Sequence, residues 1–385
     1  MRGVALSGWG LAVSVGLLLW FSQECLAAAR ETAAVFASGV MPGLFPMMVL
    51  AGLPLGRNAV GKRGWRENVE VVLFAFAAGS PAGARRAAVQ EGSTAPLFVT
   101  AGVMSPLFFL GTLAGWTGSK EMMAILLAIH WLTALASGSV ARGVEKHSGN
   151  RRQSRHAVPP FPLDCPSPVI AMQPPIQARK GCPGEKTAGH RPISLWRALP
   201  QAIASGTQAL LMVCGAMMLF AVAAAVLRGL LLQLRFVGKG GGELPMAFLH
   251  ALLEIGGGAY ALLEAGQKGC VPSHILYPLL CAACSFGGLS IWLQNLAYTG
   301  QSIRPAALLL YRAVHGALSF GISWAVLQIW PQLASSPALE AGFGPAGGSS
   351  DLIPGVPWAG VLSLGAFLLL AAFSWKKSKT CSPHS

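Results

Sequence analysis

The chain has 385 residues, of which 53% are hydrophobic and only 11% charged, with a mean hydropathy of +0.55. That is too apolar for a soluble domain of this length. The formal net charge of +14 sits in connecting segments, with no basic face carrying interleaved aromatics, so nucleic acid is set aside as a partner and the positive-inside bias of membrane proteins accounts for the charge.

Apolar runs long enough to cross a bilayer need roughly 17 to 25 residues. In chain order they fall at 9-28, 33-56, 94-116, 120-142, 201-227, 273-298, 305-330 and 358-375. The first begins after Arg2 and ends in Leu26-Ala27-Ala28-Ala29, which imitates a secretory signal with small residues at a cleavage site. Its length favours a retained span. Two further apolar stretches, 71-91 and 245-266, are interrupted near the middle, by Gly79-Ser80-Pro81-Ala82-Gly83 and by Gly256-Gly257-Gly258. They read as re-entrant hairpins. The span after each contains a break of its own, at Ser105-Pro106 and at Ser285-Phe286-Gly287-Gly288. Lipid cannot satisfy the backbone groups that such breaks expose, so they belong where a cavity or protein surrounds them. Paired interruptions in corresponding places of two halves point to a transporter-type binding site.

The charge map orients the chain. The segments 57-70, 143-197 and 376-385 are rich in Lys and Arg and read as cytoplasmic, whereas 331-357 carries only Glu340 and Asp351 and reads as external. Only 228-244, with Arg228, Arg235 and Lys239, dissents by falling outside. The expected fold is therefore an all-α polytopic membrane protein, about eight transmembrane helices plus two re-entrant hairpins in an inverted repeat. Its parts are an N-terminal helix (1-32), a first membrane unit (33-142), a Pro-rich basic linker (143-197), a second, inverted unit (198-330), an external loop (331-357) and a last helix with its tail (358-385). Both termini and the linker face the cytoplasm of a multi-pass protein of the cell membrane. The two units also align by a late histidine, His130 against His315.

Ionisable groups inside a membrane are costly and are candidate functional residues. Glu254 precedes the triple glycine of the second hairpin, and Arg85 and Arg86 follow the break of the first, with Glu91 and Glu264 closing the two hairpins. Hairpin tips free N–H groups that suit a polar or anionic solute. Arg85 would pair with an anionic group and Glu254 with a cation or proton. Snorkelling to the interface is the alternative for the arginines, and the favoured one for Arg86. The candidate solute-binding set is Pro81, Gly83, Arg85, Ser105, Pro106, Glu254, Gly257, Ser285, Gly287, Gly288 and Gln294. His130, His250 and His315 read more readily as helix-to-helix hydrogen-bond partners than as proton relays, and Gln208 as structural. No histidine pair has metal spacing with a carboxylate, and Cys281-x-x-Cys284 reads as small buried residues, so neither metal nor cofactor is expected.

Gly43-Leu44-Phe45-Pro46, Gly79-Ser80-Pro81-Ala82-Gly83-Ala84-Arg85, Ser105-Pro106-Leu107-Phe108, Leu253-Glu254-Ile255-Gly256-Gly257-Gly258 and Ser285-Phe286-Gly287-Gly288-Leu289-Ser290 resemble stretches of the YlbJ-type sporulation integral membrane proteins. These belong to the nucleoside recognition, or Gate domain, group. The resemblance spans about 33-330 and implies a membrane role in spore formation, moving or sensing a small solute, nucleoside-like compounds among the candidates. Neither a Walker loop nor a Gly-x-Ser-x-Gly elbow occurs, and no enzyme is expected. The leading expectation is a secondary transporter or permease of a small polar solute working by alternating access. The alternative is a non-transporting docking or sensing factor for spore-envelope assembly. Expected partners are the lipid bilayer, the solute, and either a second copy or other sporulation membrane proteins.

Overall fold

Ala and Leu dominate the long segments, and for such strong helix formers away from water the helix is the conformation that satisfies its own backbone. The computed structural model describes residues 8–53, 65–89, 95–147, 195–234, 242–299 and 303–334, and among these it holds helices and no strand. Glu91, residues 148–194 of the linker, residues 335–357 of the external loop, the span 358-375 and the tail lie outside the described residues.

Gly8–Trp20 (α1) and Ser22–Val35 (α2) meet at Phe21, and α2 continues through a π-helical turn at Phe36–Val40 into Met41–Gly52 (α3). The sequence places the boundary between its first two spans near 28-33. The structure moves it to Phe21, because Cys25–Val35 contains neither Gly nor Pro and nothing there stops the helix. At 13 residues, α1 is about 20 Å long, short of a hydrocarbon core of about 30 Å.

Trp65–Ala78 (α4) and Ala82–Val89 (α5) form the first interrupted segment. Ala95–Ala101 (α6), a π-helical stretch at Leu107–Leu113, and Ala114–Thr117 (α7) make up the first broken span, followed by Lys120–His147 (α8). The second half runs Leu195–Gln233 (α9), Glu243–Leu253 (α10), Ile255–Gln267 (α11), Ser273–Phe286 (α12), Gly288–Thr299 (α13) and Pro305–Ile329 (α14), with a 3-10 turn at Pro331–Ala334. Among the described residues, five helices are long and apolar enough to cross a membrane: Ser22–Gly52, Lys120–Val144, Ala198–Gln233, Ser273–Thr299 and Pro305–Ile329. Of the other expected crossings, 94-116 is divided by its break, and 9-28 supplies α1 and the start of α2.

Both interrupted segments turn back on themselves. A Cβ built on Gly83 would lie 2.6 Å from the Cβ of Ala75, although eight residues of straight helix would separate them by about 12 Å. Nearer the open end, Arg86 on α5 pairs with Glu70 on α4 at 3.2 Å. In the second segment Gly258 backs directly onto the main chain of Ala251. There Lys268, just past α11, pairs with Glu243 at the start of α10 at 3.3 Å and with Glu264 at 3.0 Å. These contacts, first to Glu264 and then to Glu243, push the exposed Lys268 ammonium above its usual range.

The long helices are inside-out relative to those of soluble proteins. On α8, His130, Thr133 and Ser137 are fully buried while Leu132, Leu135, Val140 and Val144 are exposed. On α14, Arg312, His315, Ser319 and Ser323 are buried, and Leu310, Leu318, Ile322 and Trp324 are exposed. Apolar faces turned outward along long helices suit lipid, which makes no demand for polar groups. The two polar stripes face each other where α8 packs on α14, and α3 packs against α9 on another flank.

Candidate functional site

Each break seats on the tip of its own hairpin. Gly79, whose φ of +75° favours a residue without a side chain, lies with its Cβ position 2.5 Å from the Ser105 nitrogen. The Ser80 N–H donates to the Val103 carbonyl at 2.6 Å. At the second break Gly287 and Gly288 take φ values of +82° and +70°, and a Cβ on Gly288 would lie 3.2 Å from the Ile255 nitrogen. Larger residues at Gly79 or Gly288 would push break and tip apart.

The two halves then join through polar groups. Ser80 Oγ at the first tip donates to Asn295 Oδ1 on α13 at 2.6 Å. Arg312 Nη2 on α14 donates to the Gly102 carbonyl at the end of α6, and its Nη1 donates to the Ser285 carbonyl near the end of α12 at 3.4 Å. His130 Nε2 accepts the Met104 N–H at 2.9 Å, which in the neutral ring leaves Nδ1 to carry the proton toward Ser285 Oγ at 2.8 Å. Ser319 Oγ donates to Ser285 Oγ at 2.7 Å and stands 2.7 Å from Thr133 Oγ1. His315 Nε2 donates to the His130 carbonyl at 2.9 Å, and the two rings stack with centroids 4.9 Å apart. Asn295, Arg312, His130, His315, Ser285, Ser319 and Thr133 are all at most 2% exposed. Buried polar groups on this scale persist only when bonded or when awaiting a partner. Ser290 Oγ and Gln294 Nε2, one helical turn apart on α13, are buried without a hydrogen-bond partner.

The sequence candidates divide between this junction and other places. Ser105, Ser285, Gly287, Gly288 and Gln294 belong to it or border it, and Pro106 opens the π-helical stretch beside it. Pro81 and Gly83 are buried in the first hairpin. Arg85 points elsewhere: it donates to the Met48 carbonyl of α3 at 3.0 Å and to Ser205 Oγ of α9 at 2.6 Å. Arg86 is buried rather than snorkelled, bonded to Glu70 and to the Leu53 carbonyl. Glu254 caps α11, its two oxygens accepting the N–H groups of Gly256 at 2.8 Å and Gly257 at 2.7 Å. The chain's own carboxylate thus takes the anion position that this helix N-terminus offers.

Arg312, Asn295, Thr133 and Ser319 are the functional candidates that sequence reasoning passed over. For Arg312, Ser319 and Thr133 the signal was present as helical spacing: Arg312, His315, Ser319 and Ser323 recur every three or four residues inside one apolar run, as do His130, Thr133 and Ser137. Among the described residues, no group of three or more His, Cys, Asp or Glu is placed to hold a metal. No family model, curated protein or solved structure matches this chain.

Proposed function

We propose that the chain is a membrane permease for a small polar solute, working by alternating access between two inverted units, 33-142 and 198-330. The observation that carries this reading is the meeting of both helix breaks and the first hairpin tip on one buried polar junction. Broken helices around a polar centre are how transporters hold solute and coupling ions away from lipid. The order of elements supports two related units: long helix, folded-back helix pair, broken helix and long helix occur in each half. The contacts of α3 with α9 and of α8 with α14 are those a two-fold axis between the units would produce. An odd number of crossings per unit would invert the second copy. In this reading the protein is a multi-pass component of the cell membrane, and its termini and linker face the cytoplasm. The resemblance to sporulation membrane proteins adds a setting in spore formation and nucleoside-like compounds as first solutes to try.

Reconstitution into liposomes tests the proposal, with radiolabelled nucleosides and amino acids as probes. Saturable counterflow of one of them, lost in Asn295→Ala, is expected. A correctly inserted protein that moves none of these probes would favour the second reading, a docking or sensing factor. That reading draws on Arg85 and Glu254, whose side chains bond the protein's own helices, Arg85 to Met48 and Ser205 and Glu254 to the first N–H groups of α11.

A further inference from the structure

The charge at the centre of the junction is Arg312, and two helix ends aim their carbonyls at it. Helix α6 stops at Ala101 and α12 at Phe286, and the guanidinium bonds the carbonyls of Gly102 and Ser285 at those ends. The last carbonyls of a helix have no partner within it and form the negative end of its dipole. In transporters with discontinuous helices, such half-helix ends coordinate the coupling cation. Arg312 is 1% exposed, and among the described residues no carboxylate lies within ion-pair distance of it. The surrounding Ser285 and Asn295 are uncharged, and His130, which accepts the Met104 N–H at Nε2, carries no charge either. The space is also shaped to the side chain, because any Cβ on Gly102 would collide with Arg312 Nη2.

We propose that Arg312 is a tethered substitute for a coupling cation: its guanidinium fills the cation position between the two broken helices, so the protein binds no free monovalent cation there. Release of Arg312 from one of the two helix ends is then the step that lets the units part. The proposal rests on the permease reading, but its test uses no solute, so the two can fail separately.

The experiment follows thermal unfolding of the detergent-purified full chain in sodium, potassium, choline or low guanidinium chloride at matched ionic strength. The wild-type midpoint should be the same in sodium, potassium and choline. Arg312→Ala should unfold several degrees lower and be restored by guanidinium but not by choline, which is too bulky for the vacated space. Arg312→Lys should need no addition. A selective rise of the wild-type midpoint in sodium would overturn the proposal, as would a guanidinium effect on Arg312→Ala no larger than that of choline. Should Arg312→Ala fail to fold, Gly102→Ala decides the matter. It should lower the midpoint sharply alone and much less when combined with Arg312→Lys, whose shorter contact can withdraw. Equal losses in both backgrounds would reject the arginine as occupant of that position.

Discussion

Glu254 shows how one residue can meet a sequence criterion and still take a different part. A carboxylate before three glycines in an apolar segment is an intramembrane charge, and such charges are functional candidates. In the folded chain both its oxygens are bound to the first N–H groups of α11. Glu254→Gln keeps one acceptor and exchanges the other for a donor that faces an N–H. A lost helix cap costs typically about 1 kcal/mol, and a charged hydrogen bond somewhat more, roughly 1.5 to 3 kcal/mol. The variant should insert normally yet unfold a few degrees lower, whereas Glu254→Asp, which retains a capping carboxylate, should lose less. Unchanged melting in Glu254→Gln would mean that the cap contributes nothing. Arg312 is the converse case. It was legible as a charge within the run 305-330, but its importance comes from two carbonyls that lie 27 and 210 residues earlier in the chain. Residue type marks a candidate, while long-range placement decides what it touches.

At the scale of elements, the breaks were the most legible part of the fold. Gly and Pro clusters weaken a helix, and all four interruptions occur at or beside the residues that announce them, the one before α11 falling at Glu254 while Gly256-Gly257-Gly258 form that helix's first turn. What the clusters do not reveal is direction, because a glycine can bend a helix slightly or reverse it. Reversal here depends on small residues on the inner faces, Gly83 against Ala75 and Gly258 against Ala251. Gly83→Ala and Gly258→Ala should therefore wedge their hairpins open at a cost of about 1 to 3 kcal/mol, the usual penalty for overpacking. Gly321 on α14 supplies the control, since a Cβ there meets nothing within 4 Å. Gly321→Ala should be neutral or stabilising by up to about 1 kcal/mol, from helix propensity alone. Melting curves of the three variants in one detergent separate the cases. If Gly258→Ala behaved like Gly321→Ala, the close return of α11 onto α10 would be refuted. The boundary at Phe21 was less legible, because no Gly or Pro marks it and helix propensity is high on both sides.

The whole molecule presents its native cysteines as topological reporters. Cys270 is exposed beside the Glu243–Lys268 pair at the open end of the second hairpin, while Cys165 and Cys182 belong to the linker and Cys381 to the tail. If the second unit is inverted, its hairpin opens to the outside, and the basic linker and tail stay in the cytoplasm with the rest of the Lys-rich segments. A membrane-impermeant maleimide added to intact cells should then modify Cys270 and leave Cys165, Cys182 and Cys381 untouched until the membrane is permeabilised. Cys25, Cys281 and Cys284 are buried and should react only on unfolding. Peptide mapping of the modified protein separates these sites in one experiment. Modification of Cys270 and the linker cysteines from the same face would place both hairpins on one side of the bilayer. The junction of broken helices would then need an explanation other than alternating access, because inversion is what lets one central site open to either side in turn.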